Sequence, residues 1–121
     1  MKPHTTSTRQ HDRSTVTHFN FDVDDSSALH YLSITSWKFS HTGRHETTVH
    51  ILYKSNPEVR YLYAFNNAAA TADLYIALMG EDSAGKFANY VRENADTVTK
   101  HEPSGLVKHL PARKTLAKET A

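Results

Sequence analysis

The feature that most constrains this chain is a change of period. Between Thr47 and Phe65 apolar residues recur at every second position, and from Ala68 onward they recur every third or fourth. Val49, Ile51 and Tyr53 alternate with Thr48, His50 and Leu52. Val59, Tyr61, Tyr63 and Phe65 share one side, opposite Arg60, Leu62 and Ala64. Ser55-Asn56-Pro57-Glu58 separates the two runs, and Pro57 has no N–H to give a central strand. The two runs therefore predict a hairpin. Two earlier segments alternate in the same way. Phe19, Phe21 and Val23 mark a strand beginning near Val16. Leu32 to Phe39 carries Trp37 and Phe39 on one side and Ser36 and Lys38 on the other. Asp24 to Ser27 reads as a turn, as does His41-Thr42-Gly43-Arg44, where Gly43 tolerates a positive φ.

The helical part has its own punctuation. Asn66-Asn67 offers a cap to a helix over Ala68–Met79, and Gly80 is expected to end it in the left-handed conformation. Asp82 or Ser83 caps a second helix, in which Ala84, Phe87, Ala88 and Val91 recur at helical spacing and which ends near Asn94. Strands followed by helices predict an α+β fold: a small antiparallel sheet of three to four strands with two short C-terminal helices packed on one face.

With 121 residues, one domain is expected, and the patterned region confines it to residues 14–98. Residues 1–13 hold nothing that could build a core. Beyond Lys100 the breakers Pro103, Gly105 and Pro111 interrupt a polar stretch. Both ends, 1–13 and 99–121, therefore read as flexible tails. They are basic tails, with three bases against one acid in the first and five against two in the second, whereas the body between them carries six bases and ten acids. Basic segments on an acidic body point toward phosphates or other acidic surfaces.

Several classes of chemistry fall away. The chain has no cysteine, so disulfides, thiolate zinc sites and cysteine nucleophiles are excluded. The longest apolar run, Leu74–Met79, is far too short to span a membrane, and the first residues lack the apolar stretch of a secretory leader, so the cytoplasm is the expected compartment. His41, His45 and His50 do not match a metal-ligand spacing, and Asp22, Asp24 and Asp25 lack the glycine and glutamate of a calcium loop. No nucleophile elbow supports a Ser-His-Asp arrangement. Neither catalysis nor a metal or other cofactor is expected.

Tyr61-Leu62-Tyr63, followed twenty residues on by Ser83-Ala84-Gly85-Lys86-Phe87-Ala88-Asn89, resembles the KTSC domain, a short module also found at the C-terminus of some lysyl-tRNA synthetases and as a small protein of bacteria and phages. Ile34-Thr35-Ser36 stands at the family's early segment, and the resemblance covers residues 32–94. The valine-proline that usually follows the tyrosine pair is absent; Asn66-Asn67 stands there, and Ala88 replaces a second aromatic. Through the synthetase fusion, the resemblance implies RNA binding. Its motif residues Tyr61, Tyr63, Ser83, Gly85, Phe87 and Asn89 are expected to be structural: the tyrosines packed under the helices, Ser83 as a cap, Gly85 allowing close approach of helix to sheet.

Strand alternation then places the charges. With the tyrosines inward, the other face is expected to carry Lys38, His50, Lys54 and Arg60, with Ile34 and Leu62 between them. Lys86 and Arg92 on the wet side of the second helix complete the candidate nucleic-acid contacts. The expected ligand is an RNA or DNA backbone held through its phosphates with little base selectivity. The alternative is a protein–protein interaction module, such as an accessory protein of a phage or bacterium.

Overall fold

The computed structural model describes residues 1–114. Seven strands form one antiparallel sheet in which every strand lies beside its neighbours in sequence: β1 (Thr5–His11), β2 (Ser14–Asn20), β3 (Leu29–Phe39), β4 (His45–Tyr53), β5 (Asn56–Phe65), β6 (Thr97–His101) and β7 (Val107–Leu110). Two helices, α1 (Ala68–Gly80) and α2 (Ala84–Asn94), sit between β5 and β6 and cover one face. The α+β class stands, but the sheet of three to four strands is corrected to seven.

The additional strands come from the segments read as tails. β1 pairs with β2 over seven residues, from Thr5 with Asn20 to His11 with Ser14. Its side chains are exposed throughout, so no apolar alternation marks it; backbone hydrogen bonds hold it, and its threonines suit a pleated surface. The tight turn to β2 places Asp12 at φ 56°, a conformation that Asp tolerates better than most residues. At the other end, Pro103 and Gly105 are the turn of a hairpin rather than the breakers of a tail. Gly105 has φ 90°, and its N–H donates to Glu102 O at 2.9 Å. The remaining part of the expected C-terminal tail, 115–121, lies outside the described residues.

The core lies between the sheet and the helices. Leu32, Ile34, Val49, Ile51 and Phe65 from the strands meet Leu74, Leu78, Phe87 and Val91 from the helices, all buried. Full burial of each large side chain contributes about 1.5–3 kcal/mol. Leu29 also reaches this core, because a bulge between Leu29 and Tyr31 resets the pleat. A buried polar ladder crosses the same layer: Ser36 Oγ lies 2.7 Å from Thr47 Oγ1, which lies 3.1 Å from Thr71 Oγ1 on α1.

Both helix starts are capped by side chains. Asn67 Oδ1 accepts from the Ala70 N–H at 2.8 Å, and Ser83 Oγ accepts from the Lys86 N–H at 3.2 Å. Two glycine expectations fail. Gly80 is the last helical residue without a positive φ, and extended Glu81 caps the end instead. A side chain at Gly85 would meet open space, so close packing does not require glycine there. No helix of the described residues is long and apolar enough to cross a membrane.

Candidate nucleic-acid interface

The sheet has one covered face and one open face, and the register decides which side chains reach each. Ile34 pairs with Val49, and Val49 with Tyr63, so these three point to the helices. Their odd-step neighbours point away: Arg9 and His11 on β1, Val16 and His18 on β2, Tyr31, Trp37 and Phe39 on β3, Glu46 and His50 on β4, Arg60 and Leu62 on β5, His101 on β6 and His109 on β7.

This open face has an aromatic end and a basic middle. Trp37 and Phe39 stack with centroids 6.4 Å apart, and the His11 ring meets Trp37 edge-on at 6.0 Å. Tyr31 lies 5.0 Å from the His50 ring, and its hydroxyl donates to Asn20 Oδ1 at 3.0 Å. His18 Nδ1 lies 2.8 Å from Thr35 Oγ1. Around His50 gather Arg60, His101 and His18. Burial first, and then these three neighbours, lower the His50 pKa; its Nε2 is buried with no hydrogen-bond partner among the described residues. Among the described residues, Glu46 on this face pairs with Arg44, and exposed Glu58 precedes Arg60 by two positions on β5.

The six expected contact residues do not form one surface. His50 and Arg60 share the open face, as expected. Lys38 does not: Thr15 and His45 are its pairing partners, which puts it on the helix side with Ser36. Ile34 is likewise in the core, not between the basic residues. Lys54 Nζ donates to the Ser26 carbonyl and ties the hairpin end to the preceding loop. Lys86 sits at the start of α2, 3.5 Å from Asp82; Asp22 and Asp25 line the same cleft, so this helix start faces carboxylates rather than an anion. Arg92 lies on α2 over the Tyr53 ring, on the covered side.

The tyrosine pair does point to the helices. Tyr63 is buried, at 4% exposure, while Tyr61 is only half-buried and lines a cleft at the sheet edge. Phe87 is fully buried, and Asn89 is exposed with its amide oxygen accepting from Arg92. His45 and His50 project to opposite faces, and among the described residues no group of three or more His, Asp or Glu side chains is placed to hold a metal.

Sequence reasoning missed the aromatic half of the open face. Trp37 and Phe39 were on one side of their strand and Lys38 on the other, but joining Lys38 to His50 set β3 against β4 one residue out of step. The signal was present in the core: Ile34 and Ser36 had to share a face with Val49, which sends Trp37 to the side of His50. His101 and His109 carry no such signal, because no sustained apolar alternation marks β6 and β7.

The molecule is thus defined as a single-sheet α+β protein with one helix-covered and one open, basic-aromatic face. In comparison with known proteins the chain matches no family model, no curated protein and no solved structure.

Proposed function

We propose that this protein is a non-catalytic module that binds single-stranded nucleic acid across the open face of its sheet. One observation carries the reading: that face combines Arg9, Arg60 and five histidines with Tyr31, Trp37 and Phe39, and Glu46 beside Trp37 is already paired with Arg44. Cationic groups attract phosphates, and half-exposed rings offer surfaces on which unpaired bases stack. A flat sheet does not enter a duplex groove, so single strands suit it better than double helices. The resemblance of Tyr61–Tyr63 and Ser83–Asn89 to KTSC modules supports the same ligand class, and we assign the chain to that family on those residues. We place its action in the cytoplasm, the compartment expected from the sequence.

Trp37 is the sole tryptophan and stands on the proposed surface, so its fluorescence reports binding directly. Short single-stranded RNA and DNA, titrated separately at low salt, should quench it saturably. If about three phosphates are engaged, affinity should drop roughly tenfold or more from about 50 to 200 mM salt. RNA binding tighter than DNA binding would place contacts on the 2′-hydroxyls; equal binding would place them on phosphate and base alone. No quenching by either at low salt defeats the proposal and leaves a protein partner as the better account.

A further inference from the structure

On the covered side, away from the open face, a second cleft of about 370 Å³ opens where α2 leaves the sheet edge. Tyr53, Tyr61 and Tyr63 form its aromatic wall, and Arg92 and Arg113 stand at its rim. Tyr61 is set between its neighbours, edge-on to Tyr53 at 5.3 Å and stacked on Tyr63 at 6.3 Å with planes 18° apart. The Tyr53 and Tyr63 hydroxyls lie 2.8 Å apart and bond to each other. Burial and then that bond push the Tyr63 hydroxyl well above its ordinary range.

The cations around this edge are not equivalent. Arg113 is held by Glu93 at 3.0 Å, Lys100 and Lys108 share Glu102, and Lys114 pairs with Asp96. Arg92 has no carboxylate within ion-pair reach among the described residues. Its guanidinium meets only the Asn89 amide oxygen and lies 5.8 Å from the centre of the Tyr53 ring. A charge left without a neutralising partner beside a rigid aromatic wall suits a ligand that brings both a planar ring and an anion. The cleft volume falls at the small end of the range for sites that enclose small ligands.

We infer that the tyrosine cleft binds one nucleotide unit, with the base against Tyr61 and the 5′-phosphate at Arg92. The site is separate from the open face and does not depend on it. The ligand chemistry is shared by a free mononucleotide and by the phosphorylated end of a strand, which the arms of the test distinguish.

Adenosine 5′-monophosphate is titrated into the full chain, with tyrosine-ring and arginine side-chain NMR signals as the readout and Trp37 fluorescence as the control for the open face. Saturable shifts of Tyr53, Tyr61 and Arg92 are expected, with Trp37 unmoved. Adenosine and inorganic phosphate should each bind at least about tenfold more weakly, since each supplies only half of the recognition. Arg92→Gln should cost about tenfold or more with the dispersed core resonances retained, and Tyr61→Leu should cost a similar factor. An oligonucleotide with a 5′-phosphate that shifts the cleft more strongly than the mononucleotide assigns the ligand as a strand end; the reverse order assigns it as the free nucleotide. Absence of saturable shifts into the millimolar range overturns the inference. So does unchanged affinity in Arg92→Gln, or phosphate alone binding as tightly as the nucleotide. Because Trp37 and the cleft signals are read separately, loss of one site leaves the other reading intact.

Discussion

The two faces of the sheet are made from the same strands and differ in almost every other respect. The covered face is aliphatic and aromatic, closed by α1 and α2, with its few polar groups joined in the Ser36–Thr47–Thr71 ladder. The open face consists largely of Thr, Ser and His, with two arginines and a cluster of half-buried rings. Antiparallel sheets tolerate this asymmetry because water can satisfy one face while the other packs. The lesson is a division of labour along each strand. Alternate residues build stability and recognition, so a substitution one position away should change which property it affects.

The largest expected effect tests the covered face. Tyr63→Ala or Phe87→Ala should destabilise the protein by about 3–5 kcal/mol in denaturant unfolding, as buried aromatics do. Half-buried Tyr61→Ala should cost less, about 1–3 kcal/mol. Trp37→Ala should cost about 1 kcal/mol, mainly through its lost aromatic contacts. A Trp37 cost equal to that of Phe87 would break the contrast by showing that the open face carries core-like packing.

Next comes the charge reversal of the open face. Arg9→Glu with Arg60→Glu should lower affinity for single strands by about tenfold or more while unfolding midpoints stay close to those of the unmodified protein. The same reversal at Lys38, on the opposite side, should leave affinity nearly unchanged. Equal losses at both places would remove the distinction between the faces.

A third effect has opposite signs for stability and binding. His50 is held below its ordinary pKa by burial, with Arg60, His101 and His18 facing it and Tyr31 against its ring. His45, on the covered side, is lowered by burial and then by Lys38. In both cases the unfolded chain takes up protons more readily than the folded one. Their stabilising contribution is therefore present above the unfolded value of about 6.5 and is lost as pH falls below it. Melting temperature should decline on acidification through that range, and less so in His50→Gln. Over the same range affinity for nucleic acid should rise, because imidazolium rings add positive charge to the open face. Affinity that declines together with stability would locate binding elsewhere.

The smallest expected effect concerns Lys86. Its pair with Asp82 is exposed, joining the residue before the Ser83 cap to the first turn of α2. Lys86→Ala should change stability by less than about 0.5 kcal/mol and should leave strand binding unaltered. A loss of binding there would revive the start of α2 as an anion site.

How far the fold could be read from the chain depended on whether an element buries apolar residues. The β4–β5 hairpin and both helices were legible because Val49, Ile51, Phe65, Leu74, Phe87 and Val91 repeat at the spacing of the surface they bury. β1, β6 and β7 were not. Their side chains are mostly exposed or half-exposed, so their stability comes from backbone pairing, which no side-chain period records. The candidate site was half legible for the same reason. His50 and Arg60 follow from alternation within one hairpin, whereas Trp37, Phe39 and His101 join them only through the register between strands.

By itself the amino-acid sequence determined which segments bury a face, where the two helices start, and that Tyr63 points inward, because these depend on spacing within a single element. Only the tertiary structure decided which strands lie side by side, and hence that the rings of β3 share a face with the bases of β4, β5 and β6. It alone placed Arg92 beside three tyrosines with no carboxylate in ion-pair reach among the described residues. Such arrangements arise from hydrogen-bonded register between segments far apart in the chain, where one residue of slip moves every side chain to the other side of the sheet.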